Sequence, residues 1–519
     1  METKIFKIYD AGDRQIDEVA GILRSGGTAA LPTETVYGLA ADAFNEGAVR
    51  RIFEAKGRPA DNPLIVHIAE SEQLSSLAEE VPDMARPFLR AFWPGPFTAI
   101  FKKKAAVPSV TSGGLPSVAV RCPQNAIFRE IIKKSGCLLA APSANLSGSP
   151  SPTTARHVVD DLNGRVDAIV CSYDCGVGVE STVVSFLEDR PRLLRPGGIT
   201  VEQLRELSPD LVVDEGVLHT VERALSPGMK YKHYAPKCEI TAVEGESPLF
   251  CRFANEKGLP VLCFEEDEPN LRVPFISLGR HAERHLFTAL RELDEQGHKR
   301  ALAHLPDKNG VGLAVYNRLI RAAAFNTISL PVVIGLTGPS GAGKTTVAAA
   351  AEGLGFYVID CDRVAKDTAP QLIKQLTAAF SDEILCNGQL DRRALAARAF
   401  RDRQSTELLN SIMLPPIVKN INSLVKKSGR CRVLLDGATL YEAGADRDCT
   451  AVIAVLAPWQ KRLERFKRRD GLSDSEAEAR LSAAKPDDFY TSRTGYILRN
   501  DGDIKELEKN AEEMLKRFV

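Results

Sequence analysis

The run Pro331–Thr346, PVVIGLTGPSGAGKTT, sets a glycine-rich turn between an apolar strand and a helical stretch, VAAAAEGL. Gly338 and Gly343 frame the pattern GxxxxGK[ST], with Ser340, Gly341 and Ala342 inside it and Lys344, Thr345 and Thr346 closing it. In such a turn backbone N–H groups cradle phosphates, the lysine reaches the β and γ phosphates, and the Thr345 hydroxyl binds Mg²⁺. The segment GFYVIDCDRVAK reads as a second strand ending in Asp360 and Asp362, where ligands bind in open parallel sheets. One of these acids could take a proton from a hydroxyl beside the metal. CRVLLD ends in Asp436 and has the look of a Walker-B strand. The helix QKRLERFKRRDGLS carries Arg465, Arg468 and Arg469, either a solvated basic face or a lid whose arginines meet a transferring phosphate.

A second group of polar residues lies in the first two hundred positions, without any such loop. Lys56 and Arg58 precede Pro59, which disfavours helix at Arg58, so an extended two-cation clamp on one side of the chain is expected. Ser143 and Asn145, in APSANLSG, share that spacing after an apolar strand. Arg121 and Arg195 each end a strand-like run, SVAVR and RLLR. Four cations with hydroxyl and amide donors suit a polyphosphate or a carboxylate, although any one of them alone is more often a solvated surface charge. His67, in PLIVHI, reads as a site residue or as a packed strand-face histidine.

The elements that must position these groups alternate helix and strand along the chain. Ile16–Ser25 has helical spacing, Thr28–Leu31 is a strand, a helix runs from about Glu46 to Ala55, and strands follow at 63–68, 117–121 and 138–141. Val201–Leu207 is a helix, after which a polar connector leads to SPGMKYKHYAPK, 226–237, rich in contact residues such as Met229, Tyr231, His233 and Tyr234. Strands at 239–243, 259–264, 273–277 and 300–305 and a helix at about 281–295 make a further small α/β unit. VGLAVYNRLIRAAA reads as an amphipathic helix with two arginines on its polar face. The glycine fingerprint of dinucleotide binding is missing there, which suggests a regulatory or structural role.

Composition narrows the classes. The 519 residues carry 67 Lys and Arg against 68 Asp and Glu, a formal net charge of −1, so no global basic field announces stable nucleic-acid binding. Eleven cysteines lie singly, without a CxxC pair, and read as reduced and mostly structural. METKIFKIYDAGDRQ turns charged before a signal-peptide core develops, and no apolar run approaches ~18 residues, so a cytoplasmic protein without membrane partners is expected.

PTETVYGLA, IFEAKGRPADNPLIVHI, FWPGPFT, SVAVRCP, APSANLSGSPSPTTA, GVESTVV and LRPGGIT, in order over residues 10 to 200, resemble the YrdC family of threonylcarbamoyl-AMP synthases. The family joins L-threonine and bicarbonate into a carbamate and couples it to the α phosphorus of ATP, for tRNA threonylcarbamoyladenosine. The resemblance implies Lys56, Arg58, Ser143, Asn145, Arg195 and Tyr234 on ATP and the adenylate, and Thr33, His67, Arg121 and Ser181 around threonine. It also makes 226–237 a lid over the site, as in long members of the family, and implies tRNA-modification proteins as partners. Cys122 and CSYDCG are departures from the family pattern.

GLTGPSGAGKTT, VIDCDRVA, LDRRALAARAF, LLDGATLYEAG, RRDGLSDSEAEARL and YILRNDGD, spanning 332 to 510, resemble dephospho-CoA kinase. That family phosphorylates the ribose 3′-hydroxyl of dephospho-CoA. By this resemblance Lys344 and Thr345 hold the γ phosphate and Mg²⁺, Asp362 is the base, and Arg465 belongs to the lid. Leu414-Pro415, Ala484 and Ala438-Thr439 stand where the family commonly has His-Pro, glutamine and Pro-Leu, on the CoA side.

The expected architecture is α/β throughout. A YrdC-like domain takes 1–205, a linker or lid 206–237, a small Rossmann-like domain 238–329, and a nucleoside-monophosphate-kinase-like P-loop NTPase domain 330–519. The expected function is a fusion of two ATP-using enzymes, with Mg²⁺ at both sites. The alternatives are an RNA-binding first half and a kinase domain reduced to a nucleotide-binding regulator.

Overall fold

The computed structural model describes residues 2–218, 234–470, 473–482 and 485–518, in two compact units, Met1–Ile328 and Ser329–Val519. Most of the expected lid segment and Ala484 lie outside the described residues.

Among the described residues the first unit contains two sheets, of eleven and five strands. In the larger sheet Ile65–His67 runs parallel to Ser117–Arg121, so that His67 and Arg121 are register partners at the strands' carboxyl ends. Thr182–Ser185 lies beyond Phe97–Lys102 in the same sheet and brings the residues just before it, Glu180 and Ser181, to the same rim. The sheet is fixed from below by aromatics: Phe88 stacks with Phe97 and meets Phe186 edge-on, all of them buried. Full burial of each such ring contributes about 2–3 kcal/mol.

The helix Glu46–Lys56 starts where Asn45 accepts from the Ala48 N–H, and stops at Gly57, whose φ of 62° is the left-handed stop that glycine adopts without strain. Its apolar stripe, Val49, Ile52 and Phe53, enters the core. Lys56 is therefore the last residue of a helix, and the extended clamp with Arg58 does not form. Pro59 restrains only Arg58, while Gly57 turns the chain between the two cations.

The smaller sheet is ordered Phe275–Ser277, Val261–Cys263, Arg300–His304, Glu239–Glu244, Thr327–Ser329, and the pairings among the first four of these are parallel. The helix Gly312–Ala322 packs beside it but has no solvated polar face: Arg318 is 0% and Arg321 5% exposed. The side that sequence periodicity marks as polar faces the larger sheet's domain, where Asn317 donates to the Val217 carbonyl and Arg321 to that of Gly216. Partner groups inside the protein take the place of water.

In the second unit a five-stranded parallel sheet is ordered Tyr357–Asp360, Arg432–Asp436, Val332–Thr337, Ala451–Leu456, Tyr496–Arg499. The central strand is buried throughout, as its unbroken apolar run requires. Thr337 leads into the glycine turn, and Lys344–Gly353 is the helix that follows it. Tyr357–Asp360 does not extend to Asp362. Asp360 caps the helix Cys361–Thr368, accepting from the Arg363 N–H at 2.9 Å, and Asp362 sits in its first turn. An aspartate at the cap and another acid in the first turn favour helix here over extension of the strand.

Gly178 shows how closely the small α/β part is fitted to the larger one. Its φ is 80°, and a Cβ there would stand 2.4 Å from the Arg284 Cα, on the helix Ala282–Glu295. Gly178→Ala is expected to cost about 3 kcal/mol, read as a lowered denaturant midpoint for the first unit. An unchanged midpoint would mean that this contact is not part of the folded protein.

Two candidate nucleotide sites

In the first unit a recess is lined by Thr33, Arg58, His67, Arg121, Ser143, Ser181, Arg195 and Tyr234. All of these belong to the set picked out in the sequence. Lys56 and Asn145, also in that set, are buried behind the recess and are not among its lining residues. The Lys56 ammonium donates to the carbonyls of Ser143 and Asn145, both at 2.5 Å, and Asn145 Oδ1 accepts from the Ser143 hydroxyl at 2.5 Å. Lys56 thus fastens the loop that presents Ser143. Burial pushes its ammonium well below the usual lysine range.

Two of the three arginines of the recess are gripped by oxygen at several donors. Arg121 donates to Glu34 Oε1 at 2.6 Å, to Thr35 Oγ1 at 2.8 Å and to the Gly95 carbonyl at 3.3 Å. Arg195 reaches the Ser181 carbonyl at 3.0 Å and its hydroxyl at 3.2 Å, and that hydroxyl also bonds Thr98 at 2.7 Å. Burial pushes Arg58 down to about 10, with Arg195 acting in the same direction. At neutral pH both remain charged, and their mutual repulsion makes the recess a place for an anion. His67 is pushed down to about 3, by burial first and Arg121 second, so it is a neutral imidazole at physiological pH.

The acids that balance these cations were not singled out in the sequence. Glu34 lies in PTETVYGLA and Glu180 in GVESTVV, and a cluster of buried arginines was itself the signal that counter-charges were required. Glu180 lines the recess, accepts from the Ser151 hydroxyl at 2.6 Å and pairs with Arg318 Nε at 3.0 Å. Arg318, on the helix Gly312–Ala322, also donates to the Pro196 carbonyl at 2.5 Å and lies 5.7 Å from the Tyr234 ring centre. Burial alone would raise the Glu180 carboxyl, but Arg318 and Arg195 outweigh it and hold it below the usual carboxylate range.

Tyr234 is itself set in the left-handed region, φ 63°, which costs about 1–2 kcal/mol for such a residue. Packing on Phe287 at 5.4 Å and the bond from the Ala235 N–H to the Gly148 carbonyl hold it there. Of the expected lid, this end is seen against the recess.

In the second unit the phosphate-loop pattern is realised as a turn that only glycine permits. Gly338 has φ 134°, and a Cβ there would meet the Val455 carbonyl oxygen at 2.2 Å. Gly343 has φ 112°. Lys344 Nζ donates to the Gly338 carbonyl at 2.9 Å, folding over the loop. Ser340 and Thr345 are exposed, and Thr346 lies in the first turn of the helix. Asp436 is in register with Leu336 on one side and Asp360 on the other, so the acids share the sheet's carboxyl edge with the loop. Burial, with Asp360 and Asp362 adding to it, raises the Asp436 carboxyl despite Lys344 nearby.

Asp362 lines a recess of about 340 Å³ with Cys361, Leu414 and Thr439, which brings two of the departures from the kinase pattern to the same place. Leu414 offers an acceptor molecule no hydrogen bond there. Arg465 is not directed away as a free lid arginine. It donates to the Gly341 carbonyl at 2.9 Å and to Asn500 Oδ1 at 3.1 Å. Arg462 and Asn500, to which sequence reasoning gave no role, also bond the loop.

Fold and sites together define a two-enzyme class: an α/β nucleotide-binding synthase unit followed by a P-loop phosphotransferase whose strands run in the order 2-3-1-4-5. Family models match in succession: Sua5/YciO/YrdC, described as "Telomere recombination", over 21–197, "Threonylcarbamoyl-AMP synthase, C-terminal domain" over 199–324, and "Dephospho-CoA kinase" over 332–506. Threonylcarbamoyl-AMP synthases of Pyrococcus abyssi and Bacillus subtilis are each 44% identical, covering 60% and 61% of this chain and 94% and 95% of their own. The dephospho-CoA kinase of Moorella thermoacetica is 39% identical over 33% of this chain and 85% of its own. The chain belongs to the threonylcarbamoyl-AMP synthase family through its first unit and to the dephospho-CoA kinase family through its second, and is a bifunctional enzyme. A crystal structure of P. abyssi Sua5 complexed with L-threonine is similar at 41% identity and TM-score 0.59, covering 63% of this chain and all of that one. No helix among the described residues is long and apolar enough to cross a membrane.

The Arg318–Glu180 pair joins the small α/β part to the recess, and breaking it strands a buried carboxylate. Arg318→Met should lower the stability of the first unit by about 3–5 kcal/mol, and adding Glu180→Gln should restore a large part of that loss. Two losses that simply add in denaturant titrations would show that the residues are not coupled.

Proposed function

We propose that the recess of the first unit binds ATP, L-threonine and bicarbonate, and that it makes L-threonylcarbamoyladenylate, pyrophosphate and water, the water leaving as the threonine amine and bicarbonate join into the carbamate. The observation that carries this reading is the gathering of Arg58, Arg121 and Arg195 with the Ser143 and Ser181 hydroxyls around one recess. A carbamate is already an anionic nucleophile. Its obstacle is the negative charge of the phosphate it must approach, and fixed cations lower that barrier without a proton being moved.

Arg58, Arg195 and Ser143 take the phosphates and the adenylate in this account. Arg121 takes the threonine carboxylate. Its contacts with Glu34, Thr35 and Gly95 use three of five guanidinium donors, which orients the remaining two. Thr33, neutral His67 and Ser181 shape the threonine end. The similar P. abyssi protein complexed with L-threonine supports threonine as a ligand of this unit. Lys56 and Asn145 act through the Ser143 loop. Tyr234 closes one side, and the adenylate serves tRNA modification together with tRNA-modification proteins. The carbamate oxygen bonds to the α phosphorus as the bond to pyrophosphate breaks.

The second unit is proposed to move the γ phosphoryl of ATP to the 3′-hydroxyl of dephospho-CoA. The loop from Gly338 to Thr346 holds the phosphates, with Lys344 on the γ group. Thr345 hydroxyl and Asp436 carboxylate are hard oxygen donors at one edge and fit Mg²⁺, which when bound neutralises charge on the β and γ phosphates. At the synthase site Mg²⁺ would enter with ATP. Asp362, exposed beside its recess, orients the hydroxyl and accepts its proton.

Reciprocal variants of the full-length protein test the assignment. Lys344→Ala should lower dephospho-CoA phosphorylation by at least about a hundredfold and leave threonine- and bicarbonate-dependent pyrophosphate release unchanged, whereas Arg58→Ala should do the reverse. Loss of both activities in either variant would contradict separate sites.

A further inference from the structure

The phosphate loop must turn its N–H groups toward the nucleotide before the nucleotide arrives, and a glycine-rich turn has little stiffness of its own. Three side chains from outside the loop supply what it lacks. Arg462 Nε donates to the Ser340 carbonyl at 3.1 Å, Arg465 Nη1 to that of Gly341 at 2.9 Å, and Asn500 Nδ2 to that of Ala342 at 2.7 Å. These are three consecutive carbonyls. Asn500 is 4% exposed, and a Cβ on Gly343 would lie 2.4 Å from its Nδ2, so it is pressed on the loop with no room between.

A trans peptide is planar, with its C=O and N–H pointing opposite ways. Gripping the Ser340 and Ala342 carbonyls from behind therefore turns the N–H groups of Gly341 and Gly343 to the other side, toward the cradle. The middle N–H, of Ala342, closes a turn onto the Pro339 carbonyl at 3.2 Å. We propose that Arg462, Arg465 and Asn500 are positioning residues that keep the phosphate loop in its receiving shape by holding the outward carbonyls of Ser340, Gly341 and Ala342. In this role Arg465 acts through the loop backbone, and Asn500 both grips the loop and accepts from Arg465 at 3.1 Å. Because Arg462 and Arg465 stand on the helix Trp459–Asp470, a shift of that helix would be passed directly to the loop.

The inference rests on the reading of this loop as the kinase's ATP site. Its test is binding of ADP and of adenosine to the full-length protein by calorimetry, counting for ADP only the binding that Lys344→Ala abolishes, and for adenosine only the binding that ADP displaces from the wild type. Asn500→Asp replaces the donor with an oxygen that repels the Ala342 carbonyl. ADP affinity should fall at least about tenfold, since one hydrogen bond near 1.4 kcal/mol is a factor of ten, while adenosine affinity stays within about twofold. Arg465→Gln provides the same comparison if the first variant does not fold, and Arg465→Lys should recover part of the loss. Unchanged ADP affinity, or equal losses for ADP and adenosine, would overturn the brace. Wild-type protein with no Lys344-dependent ADP binding would overturn both it and the kinase reading. Wild-type protein that binds ADP but leaves dephospho-CoA unphosphorylated would overturn the kinase reading alone.

Discussion

Gathering arginines inside a protein is costly, and the first unit is arranged around meeting that cost. Arg58, Arg121 and Arg195 stand around one recess, where burial and neighbouring arginines disfavour the charge of Arg58 and of Arg195. Glu34 holds Arg121 and Glu180 offsets Arg195, while carbonyls of Gly95 and Ser181 absorb further donors. Glu180 is in turn held by Arg318, 138 residues away on the small α/β part, which also lies over Tyr234. The small part thereby backs the recess, holding its lining residue Glu180 from behind. A charge network of this kind stays partly under-neutralised on its open side, and an anionic substrate completes it.

The two units solve the same problem by different means. Where the α phosphate is the electrophile, fixed side-chain cations surround the site and loop Ser143–Ser147 is tied down by buried Lys56. Where the γ phosphoryl moves, the proposed holders are backbone N–H groups of a glycine turn, whose carbonyls are bonded by side chains behind it. In both, the groups proposed to hold phosphate are oriented by neighbours that lie behind them. Such preorganisation leaves little reorganisation for the chemical step.

Local structure was largely legible in the sequence. Asn45 and Gly57 mark the ends of one helix, the apolar run Val332–Leu336 marks a central strand, and the glycines of the phosphate loop predict the turn itself. Most residues expected in the first site do line one recess, because the motifs that carry them are long and ordered. What stayed illegible depends on distant partners. Lys56 is drawn to carbonyls 87 and 89 residues away, and Arg465 to a loop more than 120 positions earlier. The burial of Arg318 overrides a helical periodicity that reads as amphipathic, and the helix cap at Asp360 overrides an expected strand end. Periodicity reports a face; it does not report what covers that face.

The central claim is that one chain uses ATP at two different phosphorus atoms. Wild-type full-length protein supplied with ATP labelled at the α phosphorus, or at the γ phosphorus, addresses it directly. With threonine and bicarbonate the α label should appear in an adenylate and the γ label in pyrophosphate. With dephospho-CoA the γ label should appear in coenzyme A and the α label should remain in ADP. A γ label that never reaches coenzyme A, or an α label that never leaves the nucleotide pool for a threonine-dependent adenylate, would contradict the account.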